Sequence, residues 1–284
     1  MLRRIKLYQN LIIKQNKMKI GFIGSGKMAE AILSGILDSK IMSSKDIYCS
    51  DINIDRTEYL KNKYEVSIFN NTKLIEKCNL IFLCVKPQDI KKLKMDLFNK
   101  LNNQQTLISI LAGIKISTLI DISNHESVIR VMPNTPAQIK NGVSVWSSTT
   151  QTNIEHIDET KKILNSIGKQ YQVDDEQIIE MATALSASGP AYLFYFIESL
   201  IESGQKIGLS DELAHNLTIQ MLKGSLNLYE FSKESAEQLR KNVTSPGGTT
   251  EAAMNVLNKK KFKDIIIEAV DSAHKRGLEL GEEY

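Results

Sequence analysis

The chain is poor in the residues that cross-link or anchor a protein. Its 284 residues include three cysteines, Cys49, Cys78 and Cys84, without CxxC spacing or an obvious histidine partner. That excludes a disulfide framework and the common thiolate metal sites, and a reducing, cytoplasmic compartment fits best. No apolar run approaches the eighteen or so residues that a membrane span needs. Internal repeats and low-complexity linkers are missing too. Charge of one sign is scarce outside the start: residues 1–17 carry five basic side chains (Arg3, Arg4, Lys6, Lys14, Lys17) and no acid, which against a net charge of +3 leaves −2 for the rest. The body is therefore not a polyanion binder, and no nucleic-acid or membrane partner is expected. The extension lacks the composition of a transit peptide and the cleavage site of a secretory signal. We read it as residues upstream of a functional start at Met18, or as a disordered appendage.

What is present is an ordinary globular composition, 42% hydrophobic and 24% charged, long enough for two domains. The most informative stretch is Met18-Lys-Ile-Gly-Phe-Ile-Gly-Ser-Gly-Lys-Met-Ala29. Ile20, Phe22 and Ile23 read as a buried strand, and Gly24-x-Gly26-x-x-Ala29 matches the dinucleotide fingerprint. Gly24 permits the tight turn and Gly26 a close approach of backbone to pyrophosphate. Ala29 lets the next helix lie near the strand with its N-terminal amides facing the anion. Taken alone, such a string also fits any glycine loop joining a strand to a helix.

Residues 18–174 alternate short apolar runs with amphipathic segments, the pattern of a parallel sheet covered on both faces. Strands are predicted near Lys19–Ile23, Ile47–Asp51, Leu80–Lys86, Thr106–Leu111, Val128–Met132, Val143–Ser147 and Gln170–Val173. Helices are predicted at Lys27–Leu37, Arg56–Lys63 and Ile157–Ser166, with Gly168 as the C-cap of the last. From residue 175 to 284 the period becomes 3.6 and an all-helical second domain is expected. Pro190 suits a first helical turn, after which Leu193, Phe196, Ile197, Leu200 and Ile201 mark the apolar face of a buried helix. Further helices are predicted at Glu212–Phe231, Thr250–Leu257 and Phe262–Leu280.

Two motifs in the second half exceed what packing requires, Ser186-Ala-Ser-Gly-Pro-Ala-Tyr192 and Asn242-Val-Thr-Ser-Pro-Gly-Gly-Thr-Thr-Glu251. Both set small hydroxyl residues and glycines before a helix, where exposed amides attract an anion. For the second, capping by Thr249 or Thr250 with Glu251 complementing the dipole is an equally good and compatible reading.

Together these segments resemble pyrroline-5-carboxylate reductase. The likeness covers residues 18 to 281 and rests on Gly21-Phe-Ile-Gly-Ser-Gly-Lys-Met-Ala29, Val85-Lys86-Pro87, Ala112-Gly113, Arg130-Val-Met-Pro-Asn-Thr-Pro136, Ser188-Gly-Pro-Ala-Tyr192 and Ser245-Pro-Gly-Gly-Thr-Thr250, in that order. The resemblance implies an α/β Rossmann-like N-terminal domain with a mostly parallel sheet, followed by an all-α dimerisation domain. It implies hydride transfer from NADPH or NADH to the imine carbon of 1-pyrroline-5-carboxylate, giving L-proline, in a homodimer or larger homo-oligomer. By the same likeness Ile23, Gly24, Ser25, Gly26, Lys27 and Met28 surround the pyrophosphate, and Asp51 lies near the adenosine ribose. Asn71, Cys84, Val85, Lys86, Pro87, Ala112, Gly113 and Asn242 meet the cofactor. Glu176, Ser245, Gly247, Gly248, Thr249 and Thr250 meet substrate, with Thr250 in the catalytic place. Asn134 and Thr135, between two prolines, read better as a rigid turn. The family's usual glycine is replaced by Ala187, which puts any need for a positive φ there in doubt.

Neither substrate motif offers a His, Cys or Lys, or metal-ligand spacing, so no metal is expected. An imine acquires a proton readily and then accepts hydride without a strong protein acid. Thr250 would bond the ring nitrogen, and amides of Gly247 to Thr250 the carboxylate. Asp51, 22 positions after Ala29, favours NADH, whereas Arg56 favours NADPH. The alternatives are a reductase of another imine or of a 3-hydroxy acid, with Lys206 or Lys223 as acid or base, and a non-catalytic dinucleotide sensor. Phe194, Ile197 and Ile201 add a second apolar stripe, and a helix apolar on two sides wants two partners.

Overall fold

The computed structural model describes residues 18–283. The basic extension, read above as lying upstream of the functional start, falls outside them. The chain divides into two compact units, one reaching to Ala187 and rejoined from His274 on, the other Ser188–Ala273.

The first unit begins with β1 (Ile20–Ile23), α1 (Lys27–Asp38), β2 (Ile47–Ser50), α2 (Ile54–Tyr64), the two-residue β3 (Ser67–Ile68) and α3 (Asn71–Lys77). It continues with β4 (Leu80–Leu83), the one-turn α4 (Lys94–Leu97), β5 (Thr106–Ser109), α5 (Ile116–Ser123) and β6 (Val128–Met132). β7 (Gly142–Ser148), α6 (Ile154–Asn165), β8 (Gly168–Gln172) and α7 (Gln177–Ala182) complete it. The strands form one eight-stranded sheet in the order β3-β2-β1-β4-β5-β6-β7-β8. Every neighbouring pair is parallel except β6 with β7. That exception follows from the connection: the segment between Met132 and Gly142 holds a short 3-10 turn, Thr135–Ile139, and is too short for a parallel crossover.

Alternation along each strand splits the core into two layers. Phe22 and Phe82 stack at 5.1 Å on the face that also buries Ile32, Ile36, Ile108 and Trp146. Ile23, Ile81 and Leu83 point the other way, among Leu74, Leu97 and Leu119. Burial on both faces is why these strands read as continuous apolar runs. Asparagines start the helices: Asn53, Asn70 and Asn153 each accept a backbone N–H at the entrance to α2, α3 and α6. Gly168 is not the C-cap of α6. Ser166 is, and Gly168 opens β8 with φ 144°, where a side chain would collide with the Gly142 carbonyl.

The second unit holds α8 (Gly189–Lys206), α9 (Asp211–Ser232), α10 (Ala236–Asn242), α11 (Thr249–Lys259) and the first half of α12 (Phe262–Glu283). Pro190 sits in the first turn of α8 as expected. Burial of that helix within the chain does not hold: α8 has no buried residue, and Leu193 and Phe196 are 49% and 40% exposed. Within one chain Phe194 stays exposed and Ile197, Leu200 and Ile201 are only half-buried, so both apolar stripes leave surface for a partner. Among the described residues no helix is long and apolar enough to cross a membrane.

Candidate active site

β1 is flanked by β2 on one side and β4 on the other, so the strand order reverses there. Ligands of open α/β sheets settle outside the carboxyl ends of strands at such a point. The turn Gly24-Ser25-Gly26 leaves β1 at this place and runs into α1. Gly24 has φ 89°, and a Cβ would stand 2.6 Å from the main chain of Cys84 and Val85, so only glycine fits. Gly26 is the N-cap of α1, bears no side-chain cap and faces open space within 4 Å of a would-be Cβ. The amides of Lys27, Met28 and Ala29 thus begin a twelve-residue helix with no acceptor of their own. A pyrophosphate fits this arrangement of donors and space.

Ser25 is held through both of its main-chain polar groups. Its N–H donates to Asp51 Oδ2 at 2.6 Å, and its carbonyl accepts from Arg56 Nε at 2.5 Å. Asp51 Oδ1 takes the Asn53 N–H at 2.9 Å, so both carboxylate oxygens are engaged in shaping the loop. Arg56 also pairs with Glu30 and lies 4.9 Å from the centre of the Tyr59 ring. The acid and the base set against each other over cofactor choice thus both hold Ser25, one on each of the two peptide groups that flank its Cα. Burial by itself would raise the Glu30 carboxyl, but Arg56, Lys63, Tyr64 and Tyr59 outweigh it and bring it down to about 2. A carboxyl lowered on folding stabilises above its ordinary range and loses that contribution as pH falls. Glu30→Gln should then lower stability at neutral pH but flatten the loss between about pH 4.5 and 2, as read by denaturant titration across that range.

Beside this loop opens a cleft of about 850 Å³. Ile23, Gly24, Asp51, Asn71 and Val85 are brought together along it, as the sequence implied. Ile52, Ile54, Phe69 and Leu93 supply apolar walls that no motif announced. Asn71 is fixed at both ends of its amide, accepting from Ser50 Oγ at 2.6 Å and donating to Asp96 at 2.7 Å. Ser25 is buried and does not line the cleft. Cys84, Lys86 and Pro87 follow β4 without lining it, and Lys86 is exposed. Burial pushes the Cys84 thiol well above its ordinary range, so it stays protonated.

Ala112 and Gly113 follow β5, again at a carboxyl end, and do not line the cleft either. Glu176 precedes α7 and is far from free: its Oε1 accepts from the Ile116 N–H at 2.8 Å and from Arg130 at 2.7 Å. Asn134 is a linker, accepting from the Val143 N–H and donating to the Ser186 carbonyl, in agreement with its reading as a rigid turn. Ala187 ends a π-helical turn, Thr183–Ala187, and has no positive φ.

In the second unit Gly248 is the N-cap of α11, and no side chain caps it. Capping by Thr249 or Thr250 is thus not realised, while Glu251 accepts the Gly247 N–H at 2.9 Å. The Gly248 N–H is used by the Ser245 carbonyl at 3.0 Å. The donors left at this helix start are the amides of Thr249, Thr250 and Glu251 and the two threonine hydroxyls. Asn242 is tied by its amide to Glu234 and Gln238.

A Rossmann-like lobe whose glycine turn opens into an acceptor-free helix start, on a chain that continues into helices, is the architecture of a nicotinamide-dinucleotide-dependent oxidoreductase. Family models agree, matching residues 19–113 as NADP oxidoreductase, coenzyme F420-dependent, and residues 176–280 as pyrroline-5-carboxylate reductase dimerisation. Pyrroline-5-carboxylate reductase 2 of Bacillus subtilis is 36% identical over 94% of this chain and 96% of its own. The Arabidopsis thaliana pyrroline-5-carboxylate reductase is 35% identical over 96% and 99%. The crystal structure of Plasmodium falciparum pyrroline carboxylate reductase with NADP bound matches with a TM-score of 0.83 at 32% identity, covering 93% of this chain and 98% of that one. The chain belongs to the pyrroline-5-carboxylate reductase family.

Proposed function

We propose that this protein reduces 1-pyrroline-5-carboxylate to L-proline with NADPH or NADH, the last step of proline biosynthesis. The observation that carries the reading is the coexistence of an acceptor-free helix start after Gly24-Ser25-Gly26 with a second one after Ser245-Pro-Gly-Gly, each preceded by a turn of small residues. Bound at the first, the reduced dinucleotide supplies the hydride. Lys27, Met28 and Ala29 amides hold its pyrophosphate, and Ile23, Asn71, Val85 and the turn at Ala112-Gly113 take the rest of the molecule.

At the second, the amides of Thr249 and Thr250 hold the substrate carboxylate, and the Thr250 hydroxyl bonds the ring nitrogen. No titratable side chain is needed there, since the imine takes its proton from solvent. Catalysis is then mainly alignment of donor and acceptor carbons. The hydroxy-acid alternative finds no support: Lys206 is exposed and pairs with Glu202, and Lys223 is exposed. Asn242, just before the substrate loop and held by Glu234 and Gln238, meets the cofactor. The unburied stripes of α8 and the dimerisation match support a homodimer or larger assembly. We place the enzyme in the cytoplasm, with its small substrate and its own copies as partners and neither nucleic acid nor membrane among them.

The test is loss of reduced-nicotinamide absorbance on adding pyrroline-5-carboxylate, which a dinucleotide sensor would not show. Thr250→Ala should lower kcat roughly tenfold to a hundredfold. Its hydroxyl caps nothing, so Tm should stay put. An unchanged rate removes Thr250 from the mechanism.

A further inference from the structure

Arg130, on β6, is 1% exposed and sits between two carboxylates, Glu176 at 2.7 Å and Glu180 at 2.6 Å. Such a cluster is an expensive way to fill a core, because Arg130 and Glu180 lose their hydration and apolar side chains of similar volume often do as well. The second oxygen of Glu180 is buried without any hydrogen-bond partner, and a Cβ on Gly277 would stand only 3.6 Å from it. Packing alone does not call for this.

What the cluster does have is direction. The guanidinium is a rigid planar fork, and its two ends fix two carboxylates one helical turn apart along α7. Glu176, so fixed, spends the same oxygen on the Ile116 N–H, the first amide of α5. Lys115, the N-cap of α5, offers no side-chain cap. The segment from Ile110 to Lys115 is therefore pinned at its far end by a charge held in place from β6 and α7. Its near end is pinned by β5, where the Ile110 N–H meets the Leu83 carbonyl.

We propose that Arg130, Glu176 and Glu180 are positioning residues for the turn Leu111-Ala112-Gly113, which takes the nicotinamide half of the cofactor. Glu180, 4% exposed as a residue, acts through Arg130. Glu176 keeps its other oxygen for whatever meets it, so positioning and substrate contact are compatible roles of one side chain. The inference rests on the functional reading above for what the turn binds, but not for the cluster itself.

Two variants of the full chain test it. Ile116→Pro removes the one donor that joins the turn to Glu176. Proline is tolerated at the first helical position, and Lys115, at φ −73° and ψ 156°, already has the extended backbone that a following proline requires. Glu180→Gln keeps the shape and removes a charge from Arg130. The readouts are the Kd for NADPH and NADH by calorimetry without substrate, kcat and KM for pyrroline-5-carboxylate, and Tm.

Positioning predicts a weaker Kd for the dinucleotide and a kcat lower by on the order of tenfold in both variants, with substrate KM little changed. For Ile116→Pro this should occur with Tm within a few degrees of the parent. Wild-type Kd and kcat in Ile116→Pro would overturn the inference, and so would a rise confined to substrate KM. Should Glu180→Gln fold poorly, Ile116→Pro still decides. Should the parent fail to oxidise cofactor with this substrate, the functional reading falls while the Kd comparison continues to judge the cluster.

Discussion

Replacing Arg130 by leucine should lower the free energy of unfolding by about 3–5 kcal/mol, the usual consequence of leaving a buried carboxylate without its cation. The side chain is 1% exposed, and Glu180, its closer partner at 2.6 Å, is 5% exposed at the side chain, so water cannot take the place of the guanidinium. Glu180 already has one oxygen without a hydrogen bond, and the substitution strands the other. Glu176 suffers less, since it is 29% exposed at the side chain and retains the Ile116 N–H. A shift of the urea midpoint at constant slope measures the effect. The double variant Arg130→Leu with Glu180→Leu should regain most of the loss, because two apolar groups replace a pair rather than orphan half of it. If the single variant unfolds at the parental midpoint, the pair contributes nothing to stability and the account of the cluster is wrong at its root.

Gly24→Ala should be nearly as severe and should act on both stability and binding. A left-handed backbone costs an L-residue about 1–2 kcal/mol. Here the methyl would also meet carbonyl and amide atoms of Cys84 and Val85 at 2.6 to 2.7 Å, and main chain at the end of β4, tied to β1 by the Cys84 N–H on the Ile23 carbonyl, cannot swing aside as a side chain can. A total of about 2–4 kcal/mol follows, with dinucleotide affinity down roughly tenfold or more as β1 and β4 are forced apart beneath the cradle. Calorimetric titration and thermal denaturation on the same sample check both halves. Gly26→Ala is the contrasting case: no atom lies within 4 Å of the added carbon, so stability should hold.

The sheet was legible in the sequence because strands buried on both faces leave unbroken apolar runs, and each predicted strand lies within a few residues of an observed one. β3 escaped because two residues carry no period. The antiparallel turn of β7 was encoded in the brevity of the Pro133–Asn141 connection, a topological signal rather than a periodic one. α10 is short and polar, with no buried residue, so nothing in its pattern distinguishes it from a loop. At the site, the glycine fingerprint and the strand-end residues of the cleft were readable as motifs. The Arg130 cluster was not, since its partners stand 46 and 50 positions away and acidic residues near Asp174 look like surface. Asp51 and Arg56 were noticed for their bearing on the cofactor, but that both also hold Ser25, 26 and 31 residues back, was hidden for the same reason.

The grip on Ser25 bears on the thermodynamics of coenzyme capture. A glycine-rich turn left to itself samples many shapes, and freezing it at the moment of association subtracts directly from affinity. With the serine amide locked by a carboxylate and its carbonyl by a guanidinium, the turn is rigid before the dinucleotide arrives. Little conformational entropy is left to lose there, and more of the gross attraction between helix start and phosphate appears as net binding.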